Sequence, residues 1–235
     1  MAFGQRAIGN AVAGLVFLLA ASAGFGFRAV AQIPPSEAEI AAYGGLHGAA
    51  HRGDMAALER VLAQKPALDA RDGHGRTALH VAAHAGRREI MRALVRAGAD
   101  PRALDGQRYD AITIAAVNDD VETMRVALAI GGDARAVTSP YAGTALIAAA
   151  HLGHDEVVKA LIAAGAPLDH VNNLGWTALI EAVILGDGGR RHVETARALV
   201  AAGARRDLAD RSGATPLDHA RRRGYAAMIA VLEVP

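Results

Sequence analysis

The side chains best suited to chemistry in this sequence are its ten histidines. His47 and His51, and again His80 and His84, stand four residues apart. That spacing puts two imidazoles on one face of a helix, as in the H-E-x-x-H zinc helix. Here the strings read H-G-A-A-H and H-V-A-A-H. The glutamate that would act as general base is missing, and so is a third ligand, of which a catalytic zinc needs three from the protein. Other chemical motifs are weaker. There is no G-x-S-x-G, no Walker loop and no DxDxDG loop. The run Gly186-Asp187-Gly188-Gly189-Arg190-Arg191-His192 is glycine-rich and basic, but it lacks the lysine and order of a phosphate loop and reads as a mobile surface insertion. Arg221-Arg222-Arg223 reads as a solvated face near a helix end. With no cysteine, thiol catalysis, disulfides, iron–sulfur clusters and cysteine zinc sites are excluded. Lys+Arg 25 against Asp+Glu 24 argues against a dedicated nucleic-acid binder, and 52% hydrophobic residues argue against global disorder.

The elements that carry these histidines recur along the chain. Thr77-Ala78-Leu79-His80, Thr144-Ala145-Leu146-Ile147, Thr177-Ala178-Leu179-Ile180 and Thr215-Pro216-Leu217-Asp218 are variants of one tetrapeptide. Asp110-Ala111-Ile112-Thr113 and Gly44-Gly45-Leu46-His47 are degenerate copies. The starts at 44, 77, 110, 144, 177 and 215 are separated by 33, 33, 34, 33 and 38 residues. Such a period marks a stack of like-built units. An alanine pair follows most copies, then a glycine, a second apolar segment, a Gly-Ala or Gly-Gly pair, and an Asp/Asn-x-x-Gly turn. The physics of each piece is legible. Threonine caps a first helix, the small pair keeps that helix thin enough to stack, glycines end both helices, and Asx-x-x-Gly makes the turn. Alanine, roughly a quarter of the chain, suits many short helices packed closely.

This grammar resembles the ankyrin repeat family over residues 40–235. The resemblance implies an all-α repeat solenoid of stacked helix–turn–helix units joined by short β-hairpin turns. The units are expected at 44–76, 77–109, 110–143, 144–176, 177–214 and 215–235. It also implies a structural role for His47 and His80 at the fourth tetrapeptide place. The third unit departs from the pattern with Asp110 for threonine and Arg108 for the turn glycine, and is expected to be the weakest. The fifth carries about five extra residues near Gly186.

Residues 1–31 read as a secretory signal. Arg6 precedes an uncharged run from Ala7 to Phe27, and Ala29-Val30-Ala31 offers a cleavage site before Gln32. The alternative is an uncleaved anchor, since the run is 21 residues long. Residues 32–43 read as a tether and a short helix capped by Ser36 with Glu39.

Seven residues past each unit start stand His51, His84, Val117, His151, Ile184 and Arg222. In ankyrin proteins this column faces the concave surface. Stacked helices lie roughly 8–10 Å apart, too far for adjacent imidazoles to share an ion at about 2 Å. Arg76, Tyr109 and Trp176 share the slot before the tetrapeptide, which in the family is commonly exposed on the binding face. The expectation is a non-enzymatic, bacterial, exported protein-interaction module. It is periplasmic or secreted and monomeric, with no cofactor, no metal and no nucleic acid, and it touches a membrane only if the N-terminal segment is uncleaved. Its partner is expected at the concave face and hairpin tips, through His51, Arg52, Arg76, His84, Tyr109, Tyr141, His151 and Trp176. The alternative is a metal-binding or hydrolytic protein using the histidine column.

Overall fold

The computed structural model describes residues 32–233. The expected signal or anchor at 1–31 lies outside the described residues. From Pro34 onward the chain forms one unit, built of thirteen helices among the described residues. Helix α1 (Glu37–Ala42) is followed by six helix pairs: α2 (Gly45–Arg52) with α3 (Met55–Leu62), α4 (Ala78–His84) with α5 (Arg88–Arg96), and α6 (Ala111–Val117) with α7 (Val121–Ala129). Then come α8 (Ala145–Leu152) with α9 (Asp155–Ala163), α10 (Ala178–Ile184) with α11 (Arg190–Ala201), and α12 (Pro216–Arg223) with α13 (Ala226–Leu232). First helices pack on first helices of the next pair, and second helices on second helices.

Side-chain size explains the stacking. Ala49, Ala50, Ala82, Ala83, Ala115, Ala116, Ala149 and Ala150 are all buried between successive first helices. The bulk comes from the second helices, through Leu58, Met91, Leu94, Met124, Leu161 and Leu199, which are also buried. The two layers interlock as a single continuous core.

The caps are made by the expected residues and one substitute. The hydroxyls of Thr144, Thr177 and Thr215 accept backbone N–H groups of Ile147, Ile180 and Asp218. Asp110 does the same work in the third pair, accepting from the Thr113 N–H at 2.7 Å. Its departure from threonine is therefore a chemical equivalent. The left-handed position that closes the first helix is glycine at 53, 86, 153 and 224, and in the third pair it is Asp119, with φ 57°. Ser36 and Glu39 form the capping box of α1.

The turns share one device. The first oxygen of Asp72, Asp105, Asn172 and Asp210 accepts the backbone N–H groups two and four residues on. Asx side chains close turns this way. Each of these turns closes with two backbone hydrogen bonds, and an isolated bridge, Val137 with Thr144, forms in the turn before α8. No strand forms among the described residues.

Arginine rivets the pairs together. The chain has 23 arginines and two lysines. Arg87, Arg102 and Arg135 donate through Nε to the carbonyls of His51, Gly131 and Gly165 in neighbouring units. The first is an orphan carbonyl in the last turn of α2, which needs a donor from outside the helix, and the other two lie just past the ends of α7 and α9. The expected mobile insertion near Gly186 is packed instead. Tyr225 donates to the Gly186 carbonyl at 3.1 Å, and Arg191 reaches Asp119 and Asp155 in the two preceding units. The extra residues lengthen α11 and let its start brace three units, because a helix end presents side chains that a free loop would not hold in place.

Candidate partner-binding face

The first helices carry His51, Arg52, His84 and His151, and the turns before them carry Arg76, Tyr109, Tyr141 and Trp176, but the structure does not treat them alike. Histidine mostly serves the scaffold. His80 accepts the Thr77 N–H at Nδ1 and donates from Nε2 to the Tyr109 carbonyl at 3.1 Å. His47 repeats that donation to the Arg76 carbonyl at 3.0 Å. His154, His170 and His192 likewise donate to the carbonyls of Ala116, Ala142 and His151. In each case an imidazole satisfies a backbone oxygen from another part of the stack.

The column of His51, His84 and His151 is spaced along the stack, and each member meets a different environment. His51 is half-buried, and burial with the charges of Arg87 and Arg52 holds its pKa below the usual histidine value. His84 is pushed down to about 3 by burial and then by the nearby Arg76 charge, and its Nε2 has no hydrogen-bond partner. His151 meets a carboxylate, with Nδ1 2.9 Å from Glu181 Oε2. Among the described residues no group of three His, Asp or Glu could hold a metal ion.

Glu181 is the residue that sequence reading missed. It is buried on α10, and its other oxygen accepts from Asn172 Nδ2 at 2.8 Å. The same two repeat positions in the last unit hold Asp210 and His219, with Asp210 Oδ2 2.8 Å from His219 Nε2. Donor and acceptor have changed places. Asn172 spends its oxygen on the turn and has an amide left, so it needs an acceptor. Asp210 spends one oxygen and has another left, so it needs a donor. The signal was present in the sequence as two co-ordinated departures, nine residues apart in both units. Burial would raise the Asp210 pKa, but hydrogen bonds from Ser212, Ala214 and His219 overcome it and bring it down to about 2.

Two expected partner contacts are corrected. Arg76 is wholly buried and holds Asp72 through Nε at 2.7 Å and Glu39 through Nη2. Tyr43 donates to the same Asp72 at 2.6 Å. Burial of Asp72 is outweighed by these hydrogen bonds, and its pKa stays far below the carboxylate range. The physical reason is α1, which lays Glu39 over the Arg76 guanidinium and closes the end of the stack. Tyr109 is also buried, and burial pushes its phenol up to about 12. The next turn covers it, since Ser139 donates its N–H to the Arg108 carbonyl beside it. Trp176, in the same slot, is half-buried, as are Tyr141, His84 and His151, while Arg52 is exposed.

The geometry thus defines a helical repeat solenoid whose caps and turn closures are hydrogen-bonded and whose first helices and turns carry unlike side chains. Comparison with known proteins gives the same class. The family model of three ankyrin repeat copies matches residues 112–205, and the single ankyrin repeat model matches residues 74–106. An Escherichia coli (strain K12) ankyrin repeat protein, YahD, is 35% identical over 81 residues, 34% of this chain and 40% of that protein. The chain therefore matches less than half the length of that curated relative. A crystal structure of an ankyrin repeat domain from Acinetobacter baumannii AYE shares 44% identity with a TM-score of 0.75, covering 80% of this chain and 95% of that one. The ankyrin repeat protein EF0377 shares 32% identity with a TM-score of 0.74, covering 80% and 96%. The ankyrin repeat domain of Bcl-3, a member of the IkappaB family, shares 27% with a TM-score of 0.73, covering 81% and 85%. This chain belongs to the ankyrin repeat family. Ankyrin repeats are in general protein–protein interaction modules and are typically non-enzymatic.

Proposed function

We propose that this protein is an exported, non-enzymatic interaction module that binds a protein partner through its first-helix face and turns, acting as a monomer in the periplasm or outside the cell. The observation that carries the reading is the division of labour within each repeat. Caps, turn closures and inter-repeat carbonyls are satisfied by fixed residues. The slots at His51, Arg52, Tyr141, His151 and Trp176 vary from unit to unit and keep some exposure. A regular stack with variable exposed positions is how solenoids recognise other macromolecules. Trp, Tyr and Arg are the side chains that most often dominate such binding. Export rests on the basic start, apolar run and Ala29-Val30-Ala31 of residues 1–31. No helix among the described residues is long and apolar enough to cross a membrane.

The test is affinity capture of the tagged full chain from the exported fraction of the cells that make it, with the intact mass of the recovered protein. The expected result is one stoichiometric partner and a mature chain beginning at Gln32. Recovery of an uncleaved chain would move it to a membrane anchor. Recovery without any specific partner would defeat the interaction reading.

A further inference from the structure

Within the repeats the exposed large hydrophobics among the described residues are Val137 (42%) and Val171 (50%). They occupy one structural position. Each directly precedes the residue whose N–H bonds back across its turn, Thr138 to the Gly143 carbonyl at 2.8 Å and Asn172 to the Trp176 carbonyl at 3.0 Å. The same position is Arg71, Leu104 and Ala209 in the turns that open with Asp72, Asp105 and Asp210. Leu104 is half-buried and Ala209 is exposed. In chain order the position reads Arg, Leu, Val, Val, Ala, an apolar row across successive turns. Backbone bonds tie most of those turns together. The N–H groups of Gly106, Ser139 and Asn173 donate to the carbonyls of His74, Arg108 and Tyr141 in the preceding turn, at 2.9, 3.0 and 2.9 Å.

Cations border the row. Arg71 donates through Nη1 to the Gly75 and Leu104 carbonyls at 2.6 Å, which lays it against the first apolar member. Arg108 gives its carbonyl to Ser139, while its exposed side chain forms no hydrogen bond or ion pair among the described residues. Arg211 comes from the other end. Its Nη2 donates to the Asn173 carbonyl at 2.5 Å, and its stem lies over Gly175, where an added Cβ would meet its Cγ at 2.7 Å. All three arginines are exposed, and none forms an ion pair among the described residues. Residues 134–143 and 170–176 contain no Asp or Glu. The acids of these two units are engaged elsewhere. Asp119 and Asp155 meet Arg191, Asp120 meets Arg88, and Glu122 and Glu156 meet Arg125 and Lys159. Asp133 and Asp169 accept the backbone N–H groups of Arg135 and Arg205. Glu181 is buried and bonded to Asn172 and His151.

We propose that the row of Leu104, Val137, Val171 and Ala209 docks an acidic partner segment, whose apolar side chains lie on the valines and whose carboxylates meet Arg108 and Arg211. Exposed apolar side chains in a contiguous set mark interaction sites. Guanidinium groups hold carboxylates through paired N–H donors, and charges at the rim of a site speed encounter in a salt-dependent way. A cationic segment would meet like charge there, which disfavours it. A bilayer fits less well, because interfacial anchors use Trp, Phe and Leu where this row exposes valine and alanine. The proposal rests on the interaction reading and sharpens it by naming the location and the partner chemistry.

The experiment follows the fluorescence anisotropy of three dye-labelled synthetic peptides titrated with the full-length protein. One alternates leucine and glutamate, one leucine and lysine, and one serine and glutamate. The expected result is that the leucine–glutamate peptide binds about tenfold tighter than either of the others and weakens as salt is added. The double variant Val137→Ser/Val171→Ser should weaken that peptide about tenfold, and so should Arg108→Gly/Arg211→Gln, each with an unchanged circular dichroism spectrum. Glycine at 108 relieves a left-handed backbone, with φ 66°, so lost folding would not account for lost binding in the second variant. Equal binding of the glutamate and lysine peptides overturns the proposal, as does equal binding of the leucine and serine peptides. Absence of binding by the leucine–glutamate peptide, or binding that either double variant leaves unchanged, overturns it too. Cosedimentation with phosphatidylglycerol vesicles in place of peptide binding would assign the row to a membrane and overturn it. If a native partner is captured and its crosslinks avoid these turns, the assignment fails while the interaction reading stands.

Discussion

The N-terminal end of the stack and its centre use the same repeat positions for opposite ends. In the slot before the tetrapeptide, Arg76 is buried beneath α1 and pinned by Asp72 and Glu39, whereas Trp176 is half-buried at a turn tip. In the histidine column, His84 has an unpartnered Nε2, whereas His151 meets Glu181. A repeat fixes where a side chain stands. What it does there depends on the residue one unit on and on what covers the end. The slot at Trp176 keeps contact with solvent, whereas the terminus must be sealed, and Arg76 is part of the seal.

The strongest way to break the contrast is Arg76→Met. Removing a buried cation strands Asp72 and leaves α1 without its anchor, so the unfolding free energy should fall by about 3 kcal/mol in urea melts. Trp176→Met in the same slot should cost about 1 kcal/mol. Equal losses would mean that the two positions are not differently used. Next in size is Asn172→Asp, which turns a donor toward buried Glu181 into a second carboxylate and should cost about 1–3 kcal/mol. Adding Glu181→His recreates the Asp210–His219 pair in another unit and should recover most of the loss. A double-mutant cycle with no coupling would refute the donor–acceptor exchange.

The pH dependence of His84 sharpens the same comparison. Its folded pKa of about 3 lies below its ordinary value of 6.5, so the unfolded chain binds more protons between those limits. Stability is full above the ordinary value and is lost as pH falls toward the folded one, at up to about 1.4 kcal/mol per pH unit. His84→Val, the residue type at Val117 in the same column, should flatten that slope in melts across mildly acidic pH. An identical slope would show that His84 is not the group responsible. The smallest effect is expected at Arg108, whose φ of 66° occupies a position that is glycine in the other Asx turns. Arg108→Gly should stabilise the third unit by about 1 kcal/mol, visible as slower hydrogen exchange in α6 and α7.

Most of the scaffold was legible in the sequence because its signals are local and repeated. A threonine cap, an alanine pair and an Asx turn each act within a few residues, and six copies average out the departures. Asp110 looked like a defect by consensus and is a sound cap by chemistry. What escaped was contact between units. Nothing local shows that Glu39 covers Arg76, that a later turn buries Tyr109, or that Arg191 reaches back to Asp119. The insertion at Gly186 was misread as mobile for the same reason, since its partners lie in the preceding units and the next. The Asn172–Glu181 pair was the one such contact with a readable signal, because the last unit carries its mirror image.

The central claim, that the first-helix face and turns are where this protein meets its partner, is tested most directly by site-specific photocrosslinking in the exported fraction. A photoreactive residue replaces Trp176 in one variant and Glu156, exposed on the second-helix face, in another. The account predicts a discrete protein adduct from position 176 and none from 156. An adduct from 156 alone, or equal labelling from both, would contradict it.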